Sequence, residues 1–124
     1  MKELTKAEEQ VMQVVWKIKK GFINDMLELL PEPKPAYNTV STIVRILEKK
    51  GFIAHKVFGK THEYYALVAK ESYKKNLMGG LLKNYFDNSL IQMVSYFAKD
   101  KSLSVNDIDE IINLIETEKQ KNRK

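Results

Sequence analysis

Apolar residues recur at helical spacing in three stretches of the first 50 positions, 5–18, 23–30 and 37–50. An amphipathic helix repeats its buried face every three to four residues, so the pattern predicts three consecutive helices. In the third stretch, polar side chains fill the face opposite the apolar one. The predicted buried positions are Val11, Val14, Val15 and Ile18, then Ile23, Met26, Leu27 and Leu30, and then Val40, Ile43, Val44 and Leu47.

Local signals indicate where these helices begin and end. Thr5 and Glu8 have the spacing of a capping box, in which each side chain accepts a hydrogen bond from the other's backbone amide. We expect Gly21 to end the first helix, because glycine readily adopts the left-handed conformation. Prolines within 31–35 break the second helix, and Gly51 stops the third.

A β-hairpin is predicted next, with strands at 52–57 and 61–67 joined around 58–60. The glycine in the connection and the β-branched and aromatic residues beside it favour this arrangement. Three helices followed by a hairpin is the order of a winged helix-turn-helix domain. We therefore assign residues 1–69 to such a domain and expect a mainly α fold with a small β-hairpin.

Residues 70–124 are predicted to be helical, with amphipathic segments at 70–86, 90–97 and 105–115. Three short helices on so small a body cannot bury all their apolar faces. We expect them to pair with a second copy of the chain as a homodimer, which makes this part a helical dimerisation region. The pair Gly79-Gly80 is compatible either with a kink or with a close helix–helix approach.

Composition narrows the class of protein. The chain has 124 residues and no cysteine, which excludes disulfides. Its formal net charge is +5, which is compatible with a phosphate-binding surface. It has no apolar run near the ~18 residues of a membrane span and no signal peptide, so we expect no membrane insertion and a cytoplasmic location. It also lacks the common catalytic and nucleotide-binding motifs, so we expect no enzyme activity and no cofactor.

The polar face of the third helix is the best candidate for a functional site. In a helix-turn-helix the second helix of the pair enters the major groove of double-stranded DNA, where short polar and cationic side chains contact base edges and phosphates. The alternative is a merely solvated face, but exposed helix faces usually carry long Glu and Lys residues rather than Thr, Ser and Asn. The predicted DNA-binding residues are Asn38, Thr39, Ser41, Thr42, Arg45 and Lys49 on the helix, and Lys56, Lys60 and Thr61 near the hairpin tip.

Two histidines, His55 and His62, lie on the hairpin strands. Metal binding is the less favoured interpretation, because no cysteine or carboxylate set accompanies them apart from Glu63, and we assign no metal site. Tyr64 and Tyr65 are interpreted as packing residues.

A family resemblance is carried by segments 4–8, 11–12, 16, 30–31, 34–40, 45–53, 64–68 and 103–104. Together these segments resemble the penicillinase repressor (BlaI/MecI/CopY) family over nearly the whole chain. The resemblance implies a winged helix, a helical dimerisation region, and repression at dyad operators with TACA/TGTA-type half-sites contacted by Thr39 and Thr42. It also implies relief by a membrane metallopeptidase sensor through cleavage of an Asn-Phe bond, for which this chain has Tyr96-Phe97. The copper-responsive branch has a cysteine-rich tail that is absent here.

Two other functions are compatible with the sequence. A ligand-sensing winged-helix regulator would bind a small molecule between the domains, with aromatic residues lining a pocket. A helical interaction adaptor would have a winged domain that binds no DNA. The candidate pocket residues are Trp16, Tyr73, Tyr85 and Tyr96.

Overall fold

The computed structural model describes residues 1–100 and 102–123. It confirms a mainly α chain with a small antiparallel sheet, in the element order of a winged helix. The elements are α1 (Lys6–Ile18), β1 (Lys20–Gly21), α2 (Ile23–Leu29), α3 (Tyr37–Lys49), β2 (Ile53–Phe58), β3 (Thr61–Ala66), α4 (Lys70–Tyr85), α5 (Leu90–Lys99) and α6 (Val105–Asn122).

The capping box at the start of α1 is confirmed. The backbone amide of Glu8 donates to Thr5 Oγ1 at 3.2 Å, and the amide of Thr5 donates to Glu8 Oε1 at 3.1 Å. Each bond satisfies a helix-end donor that has no partner within the helix.

Helix α1 does not end as predicted. The expectation that Gly21 ends it through a left-handed conformation was wrong. The residue with a positive φ is Lys19, at 70°, whereas Gly21 lies in β1 and is buried. A Cβ atom on Gly21 would come within 2.7 Å of Ile18 Cδ1 and 3.1 Å of Asp25 Oδ2. A larger residue here would have to displace the ends of the Ile18 and Asp25 side chains, so glycine suits this close approach.

The sheet has three strands in the order β1-β3-β2. The hairpin β2–β3 is confirmed, with Phe58 opposite Thr61 and Gly59 at φ of 60° in the connection. Strand β1 pairs with β3 through Lys20 and Gly21. A two-residue strand has no alternation that a sequence pattern can reveal, so β1 was not predicted.

The second helix ends at a lysine cap. Lys34 Nζ donates to the carbonyl oxygens of Leu27, Glu28 and Leu30 at 2.7, 3.0 and 3.1 Å. The last carbonyls of a helix lack internal partners, and a cation there also suits the helix dipole. This cap fixes the proline-rich loop that leads directly into α3.

The core of the winged helix lies between α1, α2, α3 and the sheet, and Tyr73 from the start of α4 closes it. Its ring lies 5.6 Å from the ring of Trp16 and 5.8 Å from that of Phe52. Burial and a hydrogen bond to Glu9 raise the pKa of Tyr73 to about 12. The buried apolar residues are Val11, Met12, Val14, Val15, Ile23, Met26, Leu30, Val40, Val44, Leu47, Phe52, Ile53, Tyr64 and Tyr73.

The chain divides into two compact units, residues 1–76 and 77–124. The division falls within α4 rather than at its first residue, where the predicted boundary between 1–69 and 70–124 lies. The reason is Tyr73, which belongs to the first core. Helix α4 continues through Gly79 and Gly80 without a break. The assignment of dimerisation to the C-terminal part stays a prediction.

No helix within residues 1–100 and 102–123 is long and apolar enough to cross a membrane.

Candidate nucleic-acid interface

Helix α3 is fixed to the core by one face and exposes the other. Val40, Val44 and Leu47 are each fully buried. On the opposite side, at intervals of four, three and four residues, the exposed polar side chains form one row along the helix. We call this row the α3 polar row; its members are Asn38, Thr42, Arg45 and Lys49.

The other two helix candidates lie beside this row. Thr39 is exposed on the flank that also carries Ile46, and Ser41 is half-buried on the flank toward the hairpin. The structure thus brings four of the six predicted α3 residues into one line.

Local hydrogen bonds occupy parts of the polar row. Thr42 Oγ1 donates to the Asn38 carbonyl oxygen at 2.9 Å, which leaves its methyl group and lone pairs available for an outside partner. Arg45 makes two long contacts of 3.4 Å, from Nε to the Ser41 carbonyl and from Nη2 to Ser41 Oγ. Such long, exposed bonds are weak, so the guanidinium can exchange them for a base edge or a phosphate.

The hairpin places its three candidates in different positions. Lys60 is exposed in the turn, and Thr61 Oγ1 donates to the Phe58 carbonyl oxygen at 2.8 Å across it. Lys56 is exposed further along β2, opposite Glu63. Since successive strand residues point to opposite faces, Lys56 lies on the other face from His55. Lys60 and Thr61 are brought together with Ser41, and Lys56 is not.

Lys60, Thr61 and Ser41 line a cleft of about 190 Å³ between α2, α3 and the hairpin tip. We call it the wing cleft. Its wall includes polar residues that the sequence interpretation missed, because they come from three separate elements and share no local motif. Tyr37 adjoins the predicted row in sequence, but nothing in the sequence points to Asn24. The full wall is Phe22, Ile23, Asn24, Tyr37, Ser41, Lys60, Thr61, His62 and Tyr64.

The two histidines stack beside α3. The rings of His55 and His62 are parallel within 4°, with centroids 4.0 Å apart, and His55 Nδ1 lies 2.6 Å from Glu48 Oε2. Tyr64 is buried next to them, and burial together with the nearby Glu48 charge raises the pKa of its phenol. Among residues 1–100 and 102–123, no group of three or more His, Cys, Asp or Glu side chains is arranged to hold a metal ion.

An ion pair between Lys50 and Glu8 joins the C-terminal end of α3 to α1. Lys50 Nζ lies 2.6 Å from Glu8 Oε1 and donates to the Glu3 carbonyl at 3.0 Å. Burial would raise the pKa of the Glu8 carboxyl, but the Lys50 ammonium and the Thr5 amide outweigh burial and hold this pKa below its ordinary value. The pair ties α1 to the cap of α3.

The predicted cleavage pair, Tyr96-Phe97, lies within helix α5 with both side chains exposed. The ring of Tyr96 is 5.9 Å from that of Phe86 and 5.6 Å from that of Phe97. The bond between them is therefore helical in this structure.

Comparison with known proteins points to one family. The family model described as Penicillinase repressor matches residues 4–117. The methicillin resistance regulatory protein MecI of Staphylococcus aureus (strain N315) is 28% identical over 114 residues, which are 91% of this chain and 93% of that protein. The penicillinase repressor of Bacillus licheniformis is 27% identical over 123 residues, 98% of this chain and 94% of that one. The solved structure described as CopR Repressor Structure is 25% identical, with a TM-score of 0.46, and covers 54% of this chain and 99% of its own.

The family match spans most of the chain, and the first unit has the helix order, hairpin and exposed polar helix of a winged helix-turn-helix. This chain therefore belongs to the penicillinase repressor family: it is a transcriptional repressor with a DNA-binding fold, and not an enzyme.

Proposed function

We propose that this repressor acts as a homodimer on a dyad operator, with α3 in the major groove and the hairpin as a wing on the phosphate backbone. The observation that carries the proposal is the α3 polar row, which is exposed while the opposite face is locked into the core. A rigid helix with short polar side chains suits base-edge contacts. Lys60 is exposed at the hairpin tip, which supports its proposed contact with a phosphate.

The homodimer is supported by the apolar faces of the C-terminal helices. Ile91 is 79% exposed and Val105 76% exposed, and such faces are normally covered in a soluble protein. A two-fold symmetric pairing of these helices would cover them and would present two copies of α3 to two half-sites. Further apolar residues exposed in α5 and α6 are Leu90, Phe97, Ile108, Ile112, Leu114 and Ile115.

The relatives suggest the regulated genes and the signal. Because two of them are named for methicillin resistance and penicillinase, we propose an antibiotic-resistance operon as the target and the cytoplasm as the site of action. We further propose relief by a membrane metallopeptidase sensor that triggers cleavage at Tyr96-Phe97. Proteases cut extended chain, so α5 must open locally first. Fragment mapping after co-expression with a sensor tests this step, and intact protein in derepressed cells contradicts it.

Operator binding is tested by fluorescence anisotropy with a TACA/TGTA dyad duplex and a scrambled duplex at near-physiological salt. We expect the dyad to bind at least ~10³-fold more tightly and the affinity to fall steeply with salt. Equal weak binding to both duplexes contradicts the proposal and favours an interaction adaptor or a ligand sensor.

Point variants test the assigned face. Arg45→Ala and Lys60→Ala should weaken binding to all sequences, whereas Thr42→Ala should act at one base position and cost about 1–3 kcal/mol there. Lys17→Ala, an exposed lysine on α1, is the matched control and should bind as wild type does. Equal binding by wild type and the three interface variants excludes this face.

A further inference from the structure

Both histidines of the chain are in the stacked pair beside α3. The two rings have different surroundings. His55 is half-buried with a carboxylate oxygen of Glu48 at 2.6 Å. His62 is exposed, and its Nδ1 lies 3.5 Å from the hydroxyl of Tyr64. One imidazole thus has a counter-charge and the other has none.

His62 also forms part of the wing cleft, where no wall residue carries a carboxylate. Lys60 supplies a cation there, and Asn24, Ser41 and Thr61 supply neutral polar groups. Ammonium, hydroxyl, amide and imidazolium groups are the donors that proteins use for nucleic-acid phosphates. The cleft therefore has the chemistry of a site for one phosphate group.

We propose that His62 binds a backbone phosphate of the operator in the wing cleft and takes up a proton as it does so, with Glu48 and His55 as positioning residues. This inference rests on the proposed operator binding. Two protonated rings stacked at 4.0 Å repel each other, and the Glu48 carboxylate contacts His55 rather than His62. A bound phosphate supplies the second counter-charge, so phosphate binding favours the protonated imidazole of His62.

The charged and polar groups around the pair come from α3, the hairpin and α2. Glu48 on α3 and Tyr64 on β3 contact the histidines. Tyr37 and Arg45 on α3 lie near Tyr64, and Lys60 and the neutral Asn24 line the cleft with His62. Of these side-chain types, imidazole is the one that ordinarily changes charge between pH 5 and 8. Proton uptake on binding means that operator affinity rises as the pH falls through this range.

The test is the affinity for the dyad duplex at pH 6.0, 7.0 and 8.0 at constant ionic strength. We expect wild type to bind about tenfold more tightly at pH 6.0 than at pH 8.0, which corresponds to a preference of the bound phosphate for the protonated imidazole of about 1.4 kcal/mol. His62→Gln should remove this pH dependence, and His62→Lys should bind tightly at every pH because its charge is permanent. His55→Phe keeps a stacked ring without a charge, so the rise in affinity should move to higher pH.

Lys60→Ala is the matched control, because it should weaken binding at every pH and keep the pH dependence. Calorimetry at pH 7.0 in two buffers of different ionisation enthalpy should detect proton uptake by wild type and none by His62→Gln. The same pH dependence in wild type and His62→Gln overturns the inference. Specific but pH-independent binding by wild type overturns the inference and leaves the proposed function intact, whereas the absence of specific binding at every pH overturns both.

Discussion

In residues 1–76 the apolar faces of α1, α2 and α3 meet one another and the sheet, and 14 apolar residues are buried. In residues 77–124 the described helices α5 and α6 carry apolar faces of the same periodicity but contain no buried residue. The same pattern therefore ends in a closed core in one unit and in an open face in the other. An amphipathic helix specifies a face to be covered and does not specify what covers it.

The first unit is most directly tested in its core. Leu47→Ala removes a fully buried side chain of α3 and should lower the free energy of unfolding by about 2–5 kcal/mol, because the lost contacts leave a cavity. Urea unfolding followed by circular dichroism measures this. Ile46→Ala is the control, since Ile46 neighbours Leu47 but is 39% exposed, and it should cost much less. Equal losses would mean that α3 is not held to the core as described.

The second unit is tested by its state of association. Ile112 is 52% exposed on α6, and Ile112→Asp should weaken the proposed homodimer by about 2 kcal/mol, or roughly thirtyfold in dissociation constant, because a carboxylate would lie in an apolar interface. Sedimentation equilibrium measures this change.

Asn113→Asp adds the same charge on the polar side of α6, beside Asp109 and Glu116, and should leave the association unchanged. A wild-type chain that is monomeric at micromolar concentration would contradict the homodimer and would leave these apolar faces to another partner.

Removing the ion pair between Glu8 and Lys50 should have an effect no larger than that of Ile112→Asp, and this effect should depend on pH. Glu8→Gln keeps the capping-box geometry but removes the charge opposite Lys50, and should cost about 2 kcal/mol of unfolding free energy at neutral pH, the scale of a hydrogen bond between charged groups. The folded pKa of Glu8 lies below its ordinary 4.5. The pair therefore stabilises the fold above that value and loses its contribution as the pH falls below it.

Denaturant unfolding of wild type and Glu8→Gln at pH 7 and at pH values below 4.5 measures this effect. The difference in stability should shrink as the pH falls. A difference that stays constant with pH would assign the effect of Glu8 to packing rather than to charge. Glu9→Gln is a poor control because Glu9 accepts from Tyr73, whereas Glu3→Gln changes an exposed carboxylate and should leave stability unchanged.

The sequence alone determined the helices, the hairpin and their order, but not strand β1. Helical periodicity, the Thr5–Glu8 box and the stop at Gly51 are local signals, and local signals act through backbone geometry within a few residues. For the same reason, the sequence predicted which residues form the polar face of α3 and which form the hairpin. Gly21 shows the limit, because its role depends on Ile18 and Asp25 packing around it and not on its own conformational freedom.

The tertiary structure decided whatever joins distant segments. Strand β1 exists because β3 offers it a pairing edge, and the wing cleft combines Asn24, Tyr37 and His62 from three elements. The stack of His55 on His62 follows from the diagonal register of the hairpin, and the charge of Glu48 beside it follows from the packing of α3 on the sheet. No spacing within the chain encodes such contacts, since they form only when burial of the common core fixes the elements against one another.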